Sequence, residues 1–225
     1  MNRSQIIGAL TGGVIAAGLL ASGVAFAAPG PHAPTTAPGQ NKIQCFSGTT
    51  DLSGFGGTCT LNSNGAKGSA TLDNSVAVSS ADYAGVFINA TTITGQTLGN
   101  ITQLGYTYTG TVTPNPGDLS LNVPVDTNGD GKNDAYLFID AFYCPGTGGV
   151  VDVIHDTNCG IFVNNVEYAN WAALVAANPT WTVAALGADD QSVGTLPFVI
   201  AERVNGVEPP AVWTVSNVTL GKGGK

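Results

Sequence analysis

The chain has few charged residues and very few basic ones. Only 10% of its 225 residues are charged, and 7 basic residues against 15 acidic ones give a net charge of −8 at pH 7. Binding to nucleic acid needs clustered lysine and arginine side chains, and anionic membrane surfaces attract the same groups. We therefore predict no nucleic-acid partner and little attraction to anionic lipid.

Long apolar runs are missing after the N-terminal segment. Residues 1–27 carry Arg3 near the start, then an apolar stretch, then small residues at Ala25 and Ala27. This is the pattern of a secretory signal peptide with its cleavage site. No second run long enough to span a bilayer follows, so we predict a secreted, extracellular protein without membrane insertion after cleavage.

The remaining chain predicts one folded domain. Residues 28–41 are rich in proline and lack an apolar pattern, which indicates a disordered leader. Residues 42–221 are enough for a single core, and residues 222–225 form a short tail.

Cysteine is scarce, and its four copies all follow the predicted signal peptide. An even count in an exported protein indicates two disulfides, and the absence of a C-x-x-C motif disfavours zinc. Three pairings are possible. We favour Cys45–Cys59 with Cys144–Cys159, because each closes a short, glycine-rich loop of about 15 residues, worth roughly 3 kcal/mol in the chain-entropy model.

Short segments of alternating hydrophobicity, separated by Gly, Pro and Asn turns, predict a mainly β protein. We expect a two-sheet antiparallel sandwich, jelly-roll-like, with one short helix near 166–177. The strand at 119–125 carries Pro124, which cannot donate to a ladder, so we place that strand at an edge or end it there. The apolar run at 135–143 predicts an internal strand.

Two further elements follow the central pair of strands. Segments 150–154 and 160–163 predict a second hairpin around the sequence HDTNC. The helix has apolar residues at three- and four-residue spacing, and Asn164 or Asn165 is its predicted cap.

An acidic loop, DTNGDGKND, joins the two central strands. Oxygen donors fall at its positions 1, 3, 5 and 9 with glycine at 6, the spacing that suits a calcium ion. The predicted metal residues are Asp126, Asn128, Asp130, Lys132 and Asp134. Position 12 is Leu137 where a carboxylate is needed, and Asp140 replaces it only if the loop bends differently. The alternative is a polar turn without an ion.

The loop resembles the calcium loops of dockerins and thrombospondin type 3 repeats. The segments DTNGDGKNDAYLFIDAFYC, WAALVAANPTWTV and WTVSNVTL, in this order, look like uncharacterised secreted bacterial β-sandwich proteins over about residues 100–220. That resemblance implies the fold class and an extracellular location, and it transfers no catalytic residue.

Three functions remain open on the sequence. The first is a structural or surface-interaction role, stabilised by calcium. The second is a carbohydrate-binding module, with a polysaccharide or another envelope component as partner and with Trp181 and Trp213 as aromatic platforms. The third, a glycoside hydrolase, needs two carboxylates; Glu202 is the best candidate and no second one is identifiable. His155 is interpreted as a loop residue, so an enzyme is disfavoured but left open.

Overall fold

The computed structural model describes residues 42–49, 57–62, 68–75, 82–89, 93–144, 146–184, 196–202 and 210–222. The predicted signal peptide and leader lie outside these residues, as does all of the predicted tail after Lys222. Within the described part, no helix is both long and apolar enough to cross a membrane.

The described residues form a mainly β structure with two antiparallel sheets and one α-helix, as predicted. The large sheet has the order β1 (Ile43–Thr49), β4 (Asp82–Ile88), β12 (Phe198–Glu202), β6 (Leu119–Asp126), β7 (Ala135–Asp140), β9 (Ile161–Val163) and β10 (Val166–Tyr168), with β11 (Thr182–Val183) also on β6. The small sheet has the order β2 (Thr58–Leu61), β3 (Ala70–Asp73), β13 (Val212–Gly221), β5 (Gln103–Gly110) and β8 (Val150–Asp152). Helix α1 is Trp171–Ala177.

The chain moves repeatedly between the two sheets. The chain crosses between the sheets at β1–β2, β3–β4, β4–β5, β5–β6, β7–β8, β8–β9 and β12–β13. This alternation is the arrangement on which a jelly-roll-like interpretation rests.

The core lies between the sheets. Alternate residues of the central strand, Leu119, Leu121, Val123 and Val125, are at most 1% exposed and belong to one cluster with residues of the small sheet such as Tyr106 and Trp213. A second apolar cluster of Phe46, Tyr83, Phe87 and Ile200 lies on the opposite face of the large sheet. The large sheet is thus apolar on both faces.

Strand β6 is internal, which corrects the edge position predicted from Pro124. On one side it pairs with β7 along its length, and on the other with two strands in turn. The pairing with β12 ends at Asn122, and that with β11 begins at Val125. Proline is tolerated because it lies in the gap between the two partners, where its carbonyl accepts the Ala184 N–H at 3.0 Å. Strand β7 is internal, as predicted.

The predicted helix is shorter than its periodicity suggests. Its first residues, Val166–Tyr168, form strand β10, which pairs with β9 across a two-residue turn. The turn residues Asn164 and Asn165 have φ of 46° and 68°, a conformation that favours asparagine in hairpins of this length. The helix cap is Asn170, whose side chain accepts the Ala173 N–H at 3.0 Å. The prediction of a cap at 164 or 165 is therefore wrong.

The second predicted hairpin is also wrong. Strand β8 pairs with β5 in the small sheet, whereas β9 pairs with β7 and β10 in the large sheet. The intervening residues carry the chain from one sheet to the other, and Val153 and Ile161, on either side of this crossing, are both fully buried.

Both predicted disulfides are confirmed. Cys45–Cys59 joins β1 of the large sheet to β2 of the small sheet, and Cys144–Cys159 joins the turn after β7 to the segment before β9. The sequence separations are 14 and 15 residues.

Candidate functional site

The acidic loop lies at the tip of the β6–β7 hairpin. Gly129 and Gly131 have φ of 87° and 83°, so the chain turns inward at both positions as only glycine does without strain. Carboxylate oxygens of Asp126, Asp130 and Asp134 all lie within 4.8 Å of one another. The structure thus brings together three of the five predicted metal residues.

This carboxylate group fits a hard divalent cation. Calcium binds oxygen at 2.3–2.6 Å, so two ligand oxygens on opposite sides of one ion are separated by about 5 Å. The 4.8 Å limit on the three carboxylates satisfies that requirement. Asp130 and Asp134 are exposed and Asp126 is buried, so the site has an open side towards solvent.

The same carboxylates also order the loop through the protein's own donors. Asp126 accepts the backbone N–H groups of Asn128, Gly129 and Gly131 at 3.1, 2.6 and 2.8 Å. Burial raises the pKa of Asp126, but these N–H groups outweigh it and leave the pKa below its usual value. Asp134 accepts the N–H and hydroxyl of Thr127 at 2.8 and 3.0 Å.

The other two predicted metal residues contribute to the loop in different ways. The Asn128 side chain donates to Asp134 at 3.1 Å and accepts the Asp130 N–H at 2.9 Å, so its carbonyl oxygen already has a donor. The Lys132 N–H donates to Asp130 at 2.8 Å. These two residues hold Asp130 and Asp134 in place from within the loop.

The proposed closing ligand is wrong. Leu137 is fully buried in the core. Asp140 lies at the far end of β7, where its carboxylate accepts the Gly117 N–H at 2.6 Å and the Phe142 N–H at 2.9 Å. Asp140 is the last residue of the six-residue extended strand that leads away from the loop, so no bend of the loop brings its carboxylate to the other three.

Asp140 instead belongs to a second acidic group, at the other end of the large sheet. Ser120 pairs with Asp140, Ala201 pairs with Leu119, and the Glu202 N–H donates to the Asp118 carbonyl at 2.9 Å. Burial raises the pKa of both Asp140 and Glu202 to about 7, and the charge of Asp140 adds to the shift at Glu202. Sequence reasoning found Glu202 and missed this partner, because only strand register reveals it.

The geometry of this second group does not favour a hydrolase. Asp140 is fully buried, and its two oxygens already accept backbone N–H groups. A glycosidase carboxylate must reach the scissile bond, and this one has no exposed surface from which to do so.

His155 lies on the surface beside Asp152. Its side chain is 72% exposed, and Nδ1 lies 2.9 Å from a carboxylate oxygen of Asp152. Among the hydrogen bonds of the described residues, none joins this imidazole to a serine hydroxyl. The arrangement is that of a surface loop.

The two predicted tryptophan platforms occupy different environments. Trp213 is 1% exposed and packs edge-on against Tyr108 at 5.9 Å, so it has no free face for a sugar ring. The ligand-binding prediction for Trp213 is therefore wrong. Trp181 is partly buried against the core, and its role stays a prediction.

A row of aromatic side chains crosses the face of the large sheet that points away from the small sheet. The strand registers align seven residues, one from each successive strand: Gln44, Phe87, Phe198, Asn122, Phe138, Phe162 and Glu167. We call these seven residues the transverse row. Four of them are phenylalanine, one amide lies at the centre, and the two ends are polar. Alternation within each strand predicts which residues share a face. The register that aligns the strands with one another cannot be obtained from the sequence.

Comparisons with protein-family models, with curated proteins and with solved structures find no match to this chain.

Proposed function

We propose that this is a secreted β-sandwich with a structural or surface-interaction role, and that calcium stabilises its central hairpin. The observation that carries the proposal is the group of Asp126, Asp130 and Asp134 at the hairpin tip, whose oxygens are spaced for one hard cation. Two disulfides and the low content of charged residues suit an extracellular setting.

The metal has a stabilising role in this proposal. Strands β6 and β7 are internal to the large sheet, so an ion bound in the loop between them would restrain two internal strands. At millimolar calcium and a dissociation constant of about 0.1 mM, linkage gives roughly 1.4 kcal/mol. For a domain of this size that is a rise of about 4 °C in melting temperature.

The test is thermal unfolding of the purified protein in about 1 mM calcium chloride and in EDTA, with Asp130→Ala as the variant. We expect calcium to raise the melting temperature of the natural protein by about 4 °C and to leave that of Asp130→Ala unchanged. Asp130 is exposed, so its removal leaves the core intact.

Asp156→Asn is the matched control. Asp156 is also a loop aspartate that accepts a backbone N–H two residues on, from Asn158 at 2.8 Å, but it lies outside the acidic loop. This variant should respond to calcium as the natural protein does. Equal melting temperatures of the natural protein in calcium and in EDTA would overturn the calcium site.

A further inference from the structure

The transverse row offers chemistry that the hairpin loop does not. Strands in a sheet lie about 4.8 Å apart, so a row across seven strands spans about 29 Å. Phe138 and Phe198 are partly exposed, whereas Phe87 and Phe162 are each 8% exposed and lie deeper. The row therefore has two partly exposed rings, one on each side of Asn122, and a more buried ring beyond each of them.

Neighbouring side chains fix the ring of Phe198 and the amide of Asn122. Phe198 packs edge-on against Phe46, Phe87 and Tyr136, with ring centroids 5.8–6.3 Å apart. The Asn122 side chain donates to the Ser120 hydroxyl at 3.0 Å. A ligand that uses these groups meets a surface already ordered, which lowers the entropic cost of binding.

The polar groups of the row suit hydroxyl groups. Gln44 and Glu167 are exposed at its two ends and Asn122, which is 7% exposed, lies at its centre, so a pair of aromatic rings separates each polar group from the next. The faces of sugar rings are apolar and their edges carry hydroxyls, so a sugar chain complements this alternation.

The charge on this face selects against acidic polymers. Glu167 lies in the row and Glu202 lies on the same face of β12 as Phe198, whereas Lys42, two residues before Gln44, adds one basic group at the β1 end. Acidic groups thus outnumber basic ones among these residues, which disfavours a uronic acid or a phosphate-bearing chain.

We propose that the transverse row is a binding surface for a neutral polysaccharide that lies across the strands of the large sheet, with sugar rings on Phe138 and Phe198. This inference rests on the proposed surface-interaction role and names the partner class for it. The row takes the place of the buried Trp213 as the predicted site of carbohydrate recognition, and the role of Trp181 stays a separate prediction.

The test is retention of the purified protein on insoluble cellulose, chitin and xylan, and its retardation in gels that contain soluble β-glucan. The variants are Phe138→Leu and Phe198→Leu, which keep most of the side-chain volume and remove the flat ring. We expect the natural protein to bind at least one of the four neutral polymers, and each variant to weaken the apparent Kd by about tenfold.

Further variants separate loss of binding from loss of folding. Gln44→Ala and Glu167→Ala change exposed side chains at the ends of the row and should weaken binding without lowering the melting temperature. Phe142→Ala removes an aromatic ring that is 47% exposed but lies outside the row, and it should bind as the natural protein does. Polygalacturonate serves as the acidic polymer and should not be bound.

Failure of this inference differs from failure of the calcium site. Asp130→Ala should keep its polysaccharide binding, because the hairpin tip is not part of the row. The inference is overturned if none of the four neutral polymers is bound, or if Phe138→Leu and Phe198→Leu bind as tightly as Phe142→Ala. Capture of a protein instead, through the same two phenylalanines, would also overturn it.

Discussion

At the scale of single residues, Asp140 combines full burial with hydrogen bonds to two backbone N–H groups. It is fully buried, and its carboxylate fastens the segment before β6 to the turn after β7 through the N–H groups of Gly117 and Phe142. Burial raises its pKa to about 7, the Asp118 charge adds to the rise, and the two N–H groups oppose it. Its ionised form is therefore costly at neutral pH.

The consequence for stability has a definite sign. Because folding raises the pKa of Asp140 from 3.8 to about 7, its contribution to stability is complete below pH 4 and is lost as the pH rises through 7. The pKa of Glu202 rises to about 7 in the same way. Each unit of pKa difference corresponds to about 1.4 kcal/mol.

We therefore expect the free energy of unfolding to fall by a few kcal/mol between pH 5 and pH 8. In Asp140→Asn this fall should be smaller, because only Glu202 of the pair still titrates in that window. Burial raises the pKa of Tyr106 and of Tyr108 above 10, and the Asp140 charge adds to both shifts. These two groups therefore do not titrate between pH 5 and pH 8.

Urea titrations at pH 5, 6, 7 and 8 measure both curves. A natural protein that becomes more stable from pH 5 to pH 8, or a variant with an equally steep decline, would contradict this account of Asp140.

At the scale of elements, the sequence predicts the conformation correctly where one pattern is present and wrongly where helical periodicity competes with strand pairing. The central strands and the loop between them follow from alternation and from glycine spacing, and the structure has both. The segment at 166–168 has helical periodicity, yet strand pairing with β9 decides its conformation. The two asparagines before this segment indicate a hairpin turn, and helical periodicity considered alone does not take them into account.

The same limit explains the errors at the candidate sites. The spacing of the loop shows that Leu137 occupies a position where a carboxylate ligand is needed. The distance of Asp140 from the loop depends on the length of β7, which the sequence does not give. Trp213 is a residue type that often binds sugar rings. It is nevertheless buried in the core, because its strand is central in the small sheet. The partner of Glu202 and the transverse row depend on register between distant strands, which one sequence does not contain.

The β9–β10 turn gives a prediction at this scale. Asn165 has a φ of 68°, a left-handed conformation that costs alanine about 1 kcal/mol and glycine nothing. We expect Asn165→Ala to lower the free energy of unfolding by about 1 kcal/mol and Asn165→Gly to leave it nearly unchanged. Chemical denaturation measures both, and equal losses in the two variants would show that the backbone conformation is not the cause.

At the scale of the whole molecule, the two disulfides act differently although their loops are nearly equal. Cys45–Cys59 links the two sheets, whereas Cys144–Cys159 fastens the turn after β7 to the start of β9. Each closes a loop of about 15 residues, which in the chain-entropy model stabilises the fold by roughly 3 kcal/mol.

Removal of the inter-sheet bridge tests that value. We expect the double variant Cys45→Ala, Cys59→Ala to remain folded and to lose about 3 kcal/mol in urea denaturation under non-reducing conditions. A loss much below 1 kcal/mol would mean that the contacts between β1 and β4 hold this edge without the bridge.

The position of the last two strands has a consequence for how the chain comes to be folded. Strand β12 lies between β4 and β6, and β13 lies between β3 and β5, so in both sheets an internal position is filled by residues near the C-terminus. Until those residues are available, β3, β4 and β5 have no partner on one side and β6 has only β11 there. Such contacts between remote parts of the chain form slowly. Neither sheet is therefore complete until the C-terminal residues are in place.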